Sequence, residues 1–490
     1  MSVLGGLAIK HADKLWIGGT WVPALSGGVI DVVSPNTEEV IATVAEAGAE
    51  DMDAAVDAAR AAFDSGPWSR MPPADRLAVL QRMSRHLHAR EAEIARAWTL
   101  QMGGLASFAG PMTAGSTMTF DQIIAIAGRF PFVEYRDSPV VRSAIVAQEP
   151  VGVVAAISPW NAPYGIMLNK VAYGLAAGCA VIMKPSPETP LEAYIIAEAA
   201  EAAELPPGVL NLVCGHREAS EHLVRNPGVD KVSFTGSTAA GKRIAGICAQ
   251  RIARCTLELG GKSAAIVRDD FPIEAAAQLL TGTITLMSGQ VCAMLSRALV
   301  SRRRHDELAR AIAGRMKEVV IGHSDDPSTQ LGPLAMKRQL ERVEGYIEYG
   351  KRSADLVTGG CRPPHLDRGY FIEPTLFAHV NNDTPIAQEE IFGPVLCLIP
   401  FEDEDDAIRI ANDSNYGLNG SVLTQDADAA YRIARRIRSG AVGQNGLRMD
   451  FGLPFGGFKQ SGIGREGGIE GFAAYLEMKT ILLDARPTAL

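Results

Sequence analysis

From Val151 onward, short runs of β-branched and apolar residues alternate with alanine-rich stretches. Val151–Ile157, Ala180–Met183, Val209–Val213, Lys231–Phe234 and Thr256–Leu259 read as strands. Tyr164–Ala177, Leu191–Ala203, Ala219–Arg225 and Ala240–Gln250, between them, read as helices. Strands that are apolar throughout and separated by helices predict a parallel sheet covered on both faces. Ligands on such a sheet lie at the carboxyl ends of the strands, which directs attention to Ser158–Pro163, Lys184–Pro190, Cys214–Glu218 and Thr235–Gly241. A second α/β alternation runs from about Ser263 to about Phe401, with helices predicted over Pro272–Met287, Asp306–Val320 and Met336–Gly350. Met52–Arg96 also has helical periodicity, broken at Pro72 and Pro73. Phe132–Glu149 alternates apolar with charged residues, as an exposed antiparallel ribbon does, and Lys479–Asp484 is one more strand-like run. The fold class expected is α/β, with two α/β domains and a small β extension.

The chain has 490 residues, enough for three domains or two large ones, and needs no disulfide or metal to hold a core. Lys+Arg 47 against Asp+Glu 56 gives −9, spread without a basic stripe, so no nucleic-acid partner is expected. Seven cysteines form no regular framework and the N-terminus lacks a secretory pattern, which favours a cytoplasmic location. The uncharged stretch Val151–Asn169 is long enough to span a bilayer, but Pro159, Trp160, Asn161 and Pro163 would break a spanning helix, and no membrane partner is expected. No HxxH, HxxxH or CxxC pair occurs, so no metal is expected.

Two glycine motifs mislead. Gly462, Gly464 and Gly467 form a G-x-G-x-x-G, but it follows a loop and only 23 residues remain after it, too few for a βαβ unit. Gly236-Ser-Thr-Ala-Ala-Gly241-Lys242 follows a strand and opens a helix, as a phosphate loop does. Position 243 is nevertheless arginine, where magnesium would need a hydroxyl, and Asp269 reads as a turn residue, not a magnesium ligand. A P-loop-like nucleotide-binding protein is therefore the rival class. What both readings share is a helix N-terminus suited to phosphate.

Three residues carry chemistry. Cys292 lies in the constrained polar loop Ser288-Gly-Gln-Val-Cys292, although a lone cysteine is most often a core residue. Glu258 ends an apolar strand before paired glycines, where a helix cap or an ion pair is the plainer explanation. Asn161, between Trp160 and Ala162, would otherwise be an Asx-turn residue. A thiol, a carboxylate and an amide at strand ends would suit covalent acyl chemistry as nucleophile, base and oxyanion donor.

At this point the chain resembles the aldehyde dehydrogenase superfamily. The motifs are Pro159-Trp-Asn161, Lys184-Pro, Phe234-Thr-Gly-Ser237, Glu258-Leu-Gly-Gly-Lys262, Gly289-Gln-Val-Cys292, Glu389-Glu-Ile-Phe-Gly-Pro394 and Pro454-Phe-Gly-Gly-Phe-Lys-Gln-Ser-Gly-Ile-Gly-Arg-Glu466. Their order and the 34-residue step from Glu258 to Cys292 match the family, and the likeness spans nearly the whole chain.

The resemblance implies two Rossmann-like α/β domains. Residues 1–130 and 150–260 would bind the dinucleotide, 261–460 would be catalytic, and 131–149 with 461–490 would form an oligomerisation extension and C-terminal segment. It implies Cys292 as nucleophile, Asn161 and the Cys292 N–H as oxyanion donors, and Glu258 as the base that activates water, with Lys170 and Glu466 relaying protons. Ile157, Ser158, Pro159, Trp160, Lys184, Ser186, Glu188, Thr235, Gly236, Ser237, Gly241, Leu259, Glu390 and Phe392 would contact NAD, and Ala162, Gly165, Asn169, Val291, Ala293 and Phe455 would line the aldehyde pocket. Many relatives have a glutamate where this chain has Pro187, with Glu188 one position later, so NADP use is expected beside NAD. Ala162 and Asn169 replace bulkier aromatics of many relatives and imply a wider, more polar tunnel. The implied reaction is oxidation of a small-molecule aldehyde to an acid in a homodimer or homotetramer. The ribbon Phe132–Glu149 and the strand Lys479–Asp484 are expected to pair across subunits. A catalytically silent protein on the same fold is the remaining alternative.

Overall fold

Alternate residues of the strand Val153–Ile157 belong to two different cores. Val154 and Ala156 face one with Leu168, Ile195 and Phe120, while Val153, Ala155 and Ile157 face the other with Met52, Val56 and Ile244. Side chains on successive strand residues point to opposite faces, so a strand with no polar residue must be covered on both. The computed structural model, which describes residues 6–488, shows that this is so. Burying each large aliphatic side chain there contributes about 1.5–3 kcal/mol.

The first sheet has eight strands in the order Gly462–Ile463, Arg254–Glu258, Lys231–Thr235, Val153–Ile157, Ala180–Lys184, Leu210–Leu212, Leu15–Ile17 and Thr20–Val22. Its central five strands are parallel, and the others run antiparallel at the edges. The helices Pro163–Ala177, Leu191–Ala202 and Thr238–Arg251 lie within one or two residues of their predicted bounds. The second sheet has seven strands, in the order Asp355–Thr358, Thr375–Ala378, Val395–Phe401, Leu295–Ser301, Ser263–Val267, Gly420–Leu423 and Gly443–Gln444. It is parallel apart from its first pair. Helices Ile273–Thr285 and His305–Lys317 cover one face, and Lys337–Gly350 with Glu404–Asn412 the other.

One expectation is corrected. Leu476–Leu483 pairs antiparallel with Ser143–Pro150, which pairs with Val133–Arg136, all within one chain. The ribbon offers a free edge to the chain's own last strand, and eight paired residues satisfy that edge without a second subunit. Among the described residues no helix is long and apolar enough to cross a membrane.

Candidate active site

Three loops meet because their glycines leave no side chain between them. A Cβ on Gly261 would collide with the Cys292 carbonyl. Gly289 has φ +75°, and a Cβ there would collide with the backbone of Gly393. The Glu258–Lys262 loop, the Cys292 loop and the Glu389–Pro394 loop are thereby stacked edge to edge. The Cys292 loop is rigid at its base: Gln290 is fully buried, its carbonyl accepts from Asn161 Nδ2 (2.9 Å), and its side-chain oxygen accepts from the Ala335 N–H (2.9 Å). Trp98 Nε1 in turn donates to the Asn161 carbonyl (3.0 Å). Asn161 is thus clamped from both ends, with one amide hydrogen still free.

A cavity of about 230 Å³ opens where these loops meet, lined by Pro159, Trp160, Asn161, Thr235, Gly236, Ser237, Leu259, Cys292, Glu390 and Phe392 among others. Ten residues singled out from the sequence therefore share one wall. Cys292 is half-buried, and burial, then the charges of Glu390 and Glu258, push its thiol up to about 12. Glu258 is 3% exposed, and neither carboxylate oxygen has a hydrogen-bond partner among the described residues. Burial first, and the charge of Glu466 second, hold its carboxyl well above the usual range. Behind it, the fully buried Lys170 Nζ donates to Glu466 Oε1. Glu390 accepts from the Gly261 N–H (3.0 Å), and burial pushes it up to about 7.

A second cavity of about 380 Å³ lies beyond Ser237, lined by Ile157, Lys184, Phe234, Val224, Ile244 and Ile247, with Arg217, Glu221 and Arg243 at its rim. The groups here suit a dinucleotide. Ser158 Oγ and Thr235 Oγ1 are buried without partners among the described residues, and Lys184, whose charge burial disfavours, has no hydrogen-bond acceptor among them. Ser237 caps the helix Thr238–Arg251, accepting from the Ala240 N–H (3.3 Å), and so presents the helix N-terminus to the groove. Gly241 packs on Leu259, where any Cβ would collide.

Other residues singled out from the sequence are placed differently. Glu188 is ion-paired with Arg338 (2.5 Å) and takes the Ser186 hydroxyl as a second donor, so both residues are engaged with protein. Ala293 and Val291 are packed into the interior beside the cysteine, and Phe455 meets Phe451 with the two rings tilted and their centroids 5.2 Å apart. Gly165 abuts Ser116 of the helix Ala106–Arg129; Ala162 precedes the helix that carries Gly165, and Asn169, one turn on, is buried with its side-chain oxygen unpartnered. The Gly462–Gly467 motif is a closing loop whose first two residues pair with Leu257 and Glu258. Sequence reasoning missed Gln339 and Arg342, which line the first cavity from the helix Lys337–Gly350 and hold the carbonyls of Ile391, Phe392 and Glu390. Neither stands near a motif, so no local signal marked them. Arg217 lies inside the strand-end segment Cys214–Glu218 but was not singled out there, and Arg243 stands two residues beyond Thr235–Gly241, on the helix that follows.

One cluster of metal-ligand type occurs among the described residues: His305 Nδ1 and His379 Nε2 face Asp306 Oδ1 at 2.9 and 3.1 Å. The His379 backbone N–H donates to His305 Nε2 (3.2 Å), which puts the proton of a neutral His305 on Nδ1. The three side chains therefore satisfy one another as a hydrogen-bonded triad.

A thiol and a clamped amide at one cavity, a desolvated carboxylate near the thiol and a phosphate-suited strand-end groove beside them make up the candidate site. The family model described as the aldehyde dehydrogenase family matches residues 21–481. Geranial dehydrogenase of Castellaniella defragrans is 44% identical, over 97% of this chain and 100% of that one. The 3-succinoylsemialdehyde-pyridine dehydrogenase of a Pseudomonas species is 41% identical, over 97% and 99%. A crystal structure of a Mycobacterium tuberculosis aldehyde dehydrogenase with NAD+ superposes with a TM-score of 0.94 at 43% identity, covering 98% and 99% of the two chains. The chain belongs to the aldehyde dehydrogenase family.

Proposed function

We propose that this chain oxidises an aldehyde to the corresponding carboxylic acid, with NAD as oxidant, through a covalent intermediate on Cys292. The observation that carries the reading is Glu258: a carboxylate whose two oxygens are buried and unpartnered among the described residues, close enough to Cys292 for its charge to raise the thiol. An empty, high-affinity proton acceptor has no structural use and a direct catalytic one.

Cys292 Sγ adds to the aldehyde carbon, and its proton passes to Glu258, the nearby base with raised proton affinity. The free Asn161 amide hydrogen and the Cys292 N–H hold the resulting alkoxide. The nicotinamide, when bound, supplies the acceptor for the hydride that leaves this carbon, and a thioester on Cys292 remains. Lys170 and Glu466 first pass that proton onward, and Glu258, a carboxylate again, takes a proton from water as the hydroxide adds to the thioester carbon. The C–S bond breaks, the acid departs, and the sulfur leaves as thiolate. Lys170 and Glu466 carry the proton away from Glu258.

Lys184 serves the adenosine ribose, the Gly236–Gly241 turn the pyrophosphate, and Glu390 the nicotinamide ribose. NADP is accepted too, since Pro187 has no polar side chain and Glu188 is occupied by Arg338. We assign residues 1–130 and 150–260 to cofactor binding and 261–460 to catalysis. The extension exposes Tyr135, Met478 and Leu482, which supports assembly into a cytoplasmic homodimer or homotetramer. NADH formation against a panel of aldehydes tests the reading, with geranial an apt first member given the 44% identical relative. No turnover on any member, with NAD or NADP, would count against it.

A further inference from the structure

The buried polar chain behind Glu258 does not end at Lys170 and Glu466. Ser233, fully buried on the strand Lys231–Thr235, lies 3.2 Å from Lys170 Nζ, 3.3 Å from Glu466 Oε1 and 3.0 Å from the Tyr475 hydroxyl. A serine hydroxyl has one hydrogen to give and two lone pairs to receive. Lysine can only donate and a carboxylate can only accept. The Ser233 hydrogen therefore points at Glu466, and Tyr475 must donate to Ser233. Lys170 donates to the same Glu466 oxygen, so the donors of the cluster converge on Oε1.

Tyr475 is fixed. It is 1% exposed, packs over Tyr173 with centroids 6.0 Å apart, and carries the Lys231 ammonium 5.0 Å from its ring. Lys231 Nζ also donates to Thr256 Oγ1 (2.7 Å), on the strand that ends in Glu258. The Tyr475 carbonyl accepts from the Val151 N–H (3.0 Å), where the first sheet meets the β extension. Such packing is more than a core tyrosine needs, and it holds one hydroxyl in one direction.

We infer that Ser233 and Tyr475 are positioning residues of the water-activation step, holding Glu466 as an oriented carboxylate and thereby tuning Glu258. The inference rests on the proposed role of Glu258. The charged and titratable groups around Glu466 are Lys170 and Tyr173 from the helix Pro163–Ala177, Lys231 from its strand, Glu258 from the neighbouring strand, Arg465 and Glu470 from its own segment, and Tyr475. Without the Tyr475 donor the Ser233 hydroxyl is free to rotate, and Glu466 loses the donor that fixes its direction. A Glu466 carboxylate released from that direction bears less closely on Glu258, whose proton affinity its charge raises, so Glu258 keeps its base form to lower pH.

Tyr475→Phe keeps the ring and removes only the hydroxyl. In the full chain with saturating NAD and aldehyde, the acid limb of the kcat profile should move down by about one pH unit, the size expected for one hydrogen bond to a charged group. KM and the amplitude of the initial NADH burst should stay as in the wild type, because neither Ser233 nor Tyr475 lines the cavity that holds Cys292. Ser233→Ala should give the same displacement, the double variant no more, and Ser233→Thr the wild-type limb. If Tyr475→Phe does not fold, Ser233→Ala and Ser233→Thr decide alone. A folded variant whose pH profile overlays the wild type overturns the inference, as do displacements that add in the double variant. Glu258→Gln separates the two layers: undiminished turnover there overturns the reading of Glu258, whereas its loss beside an unmoved Tyr475→Phe profile overturns only this one.

Discussion

At the carboxyl ends of the first sheet, the side chains of Ser158, Thr235 and Lys184 have no hydrogen-bond partner among the described residues. At the carboxyl ends of the second, the charges answer one another: Arg268 pairs with Glu404 (3.1 Å), Arg302 with Glu402 (2.6 Å), Arg303 with Asp269, and Thr424 with Asp270 (2.6 Å). Both sheets are parallel, and both obey the rule that places ligands at strand ends. The second even has the larger depression there, a groove of about 760 Å³. A ligand in that groove would have to displace ion pairs already made, whereas one on the first sheet supplies partners that buried groups lack. An unmet buried polar group is costly and a surface ion pair nearly neutral, so the state of the polar groups, more than the size of the opening, marks the site. The second sheet contributes to the chemistry from its opposite end, through the Cys292 loop that precedes Leu295–Ser301.

The strongest way to break this contrast is to remove the thiol. Cys292→Ala should lower turnover on the order of 10⁴-fold or more while NAD binding, read by fluorescence titration, persists. Next is Glu258→Gln, for which steady turnover should fall roughly 10²–10⁴-fold with the NADH burst retained in stopped flow, though slowed if Glu258 also deprotonates Cys292. The pH dependence has a definite sign. Glu258 acts as a base and its carboxyl is held above the usual range, so turnover should rise with pH through that raised value and be lost below it. Lys184→Ala should weaken NAD by about 10–100-fold, or roughly 1.4–2.8 kcal/mol, as expected for one hydrogen bond from a charged group. Arg302→Ala, at the paired end of the second sheet, should leave NAD affinity and kcat where they were. An equal loss from both would erase the contrast. The smallest effect concerns cofactor choice: kcat/KM for NAD over NADP should stay below roughly 100-fold, and Pro187→Glu should raise it. An NADP value under about one-thousandth of that for NAD would show that Glu188 leaves Arg338 to discriminate.

Strand and helix periodicity made the parallel centre of the first sheet legible, because strands buried on two faces and the alanine-rich helices on them leave little ambiguity; of the second sheet only the alternation and three covering helices were read, and its strands Gly420–Leu423 and Gly443–Gln444 lie beyond the stretch assigned to it. The helix Ala106–Arg129 was not legible: Gly110, Pro111 and Gly115 and three threonines lower its intrinsic propensity, and packing against Pro163–Ala177 overrides them. The short strands between Leu15 and Ala45 are too brief to show a period. At the site, Cys292, Glu258 and Asn161 stood in recognisable motifs. Gln339, Arg342 and Arg338 did not, because a helix of the second sheet reaches the cofactor groove of the first only through tertiary folding. Ser233 looked like any strand residue, and its meaning depends on Tyr475, 242 positions away.

The two-residue strand Gly462–Ile463 closes the edge of the first sheet beside Leu257 and Glu258. Ribosomes make the chain in order, and this strand follows Glu258 by roughly 200 residues, a delay of about 10–40 s at 5–20 residues per second. Throughout that interval the nascent first sheet bears an open strand edge along Arg254–Glu258, with Glu258 at its tip. Glu466 and Tyr475 follow within a few residues of the closing strand. Nascent and prematurely released chains alike would expose an edge that chaperones and proteases recognise, and would lack the residues packed behind Glu258. The closing of that edge and the completion of the buried cluster thus fall close together, near the end of the described chain.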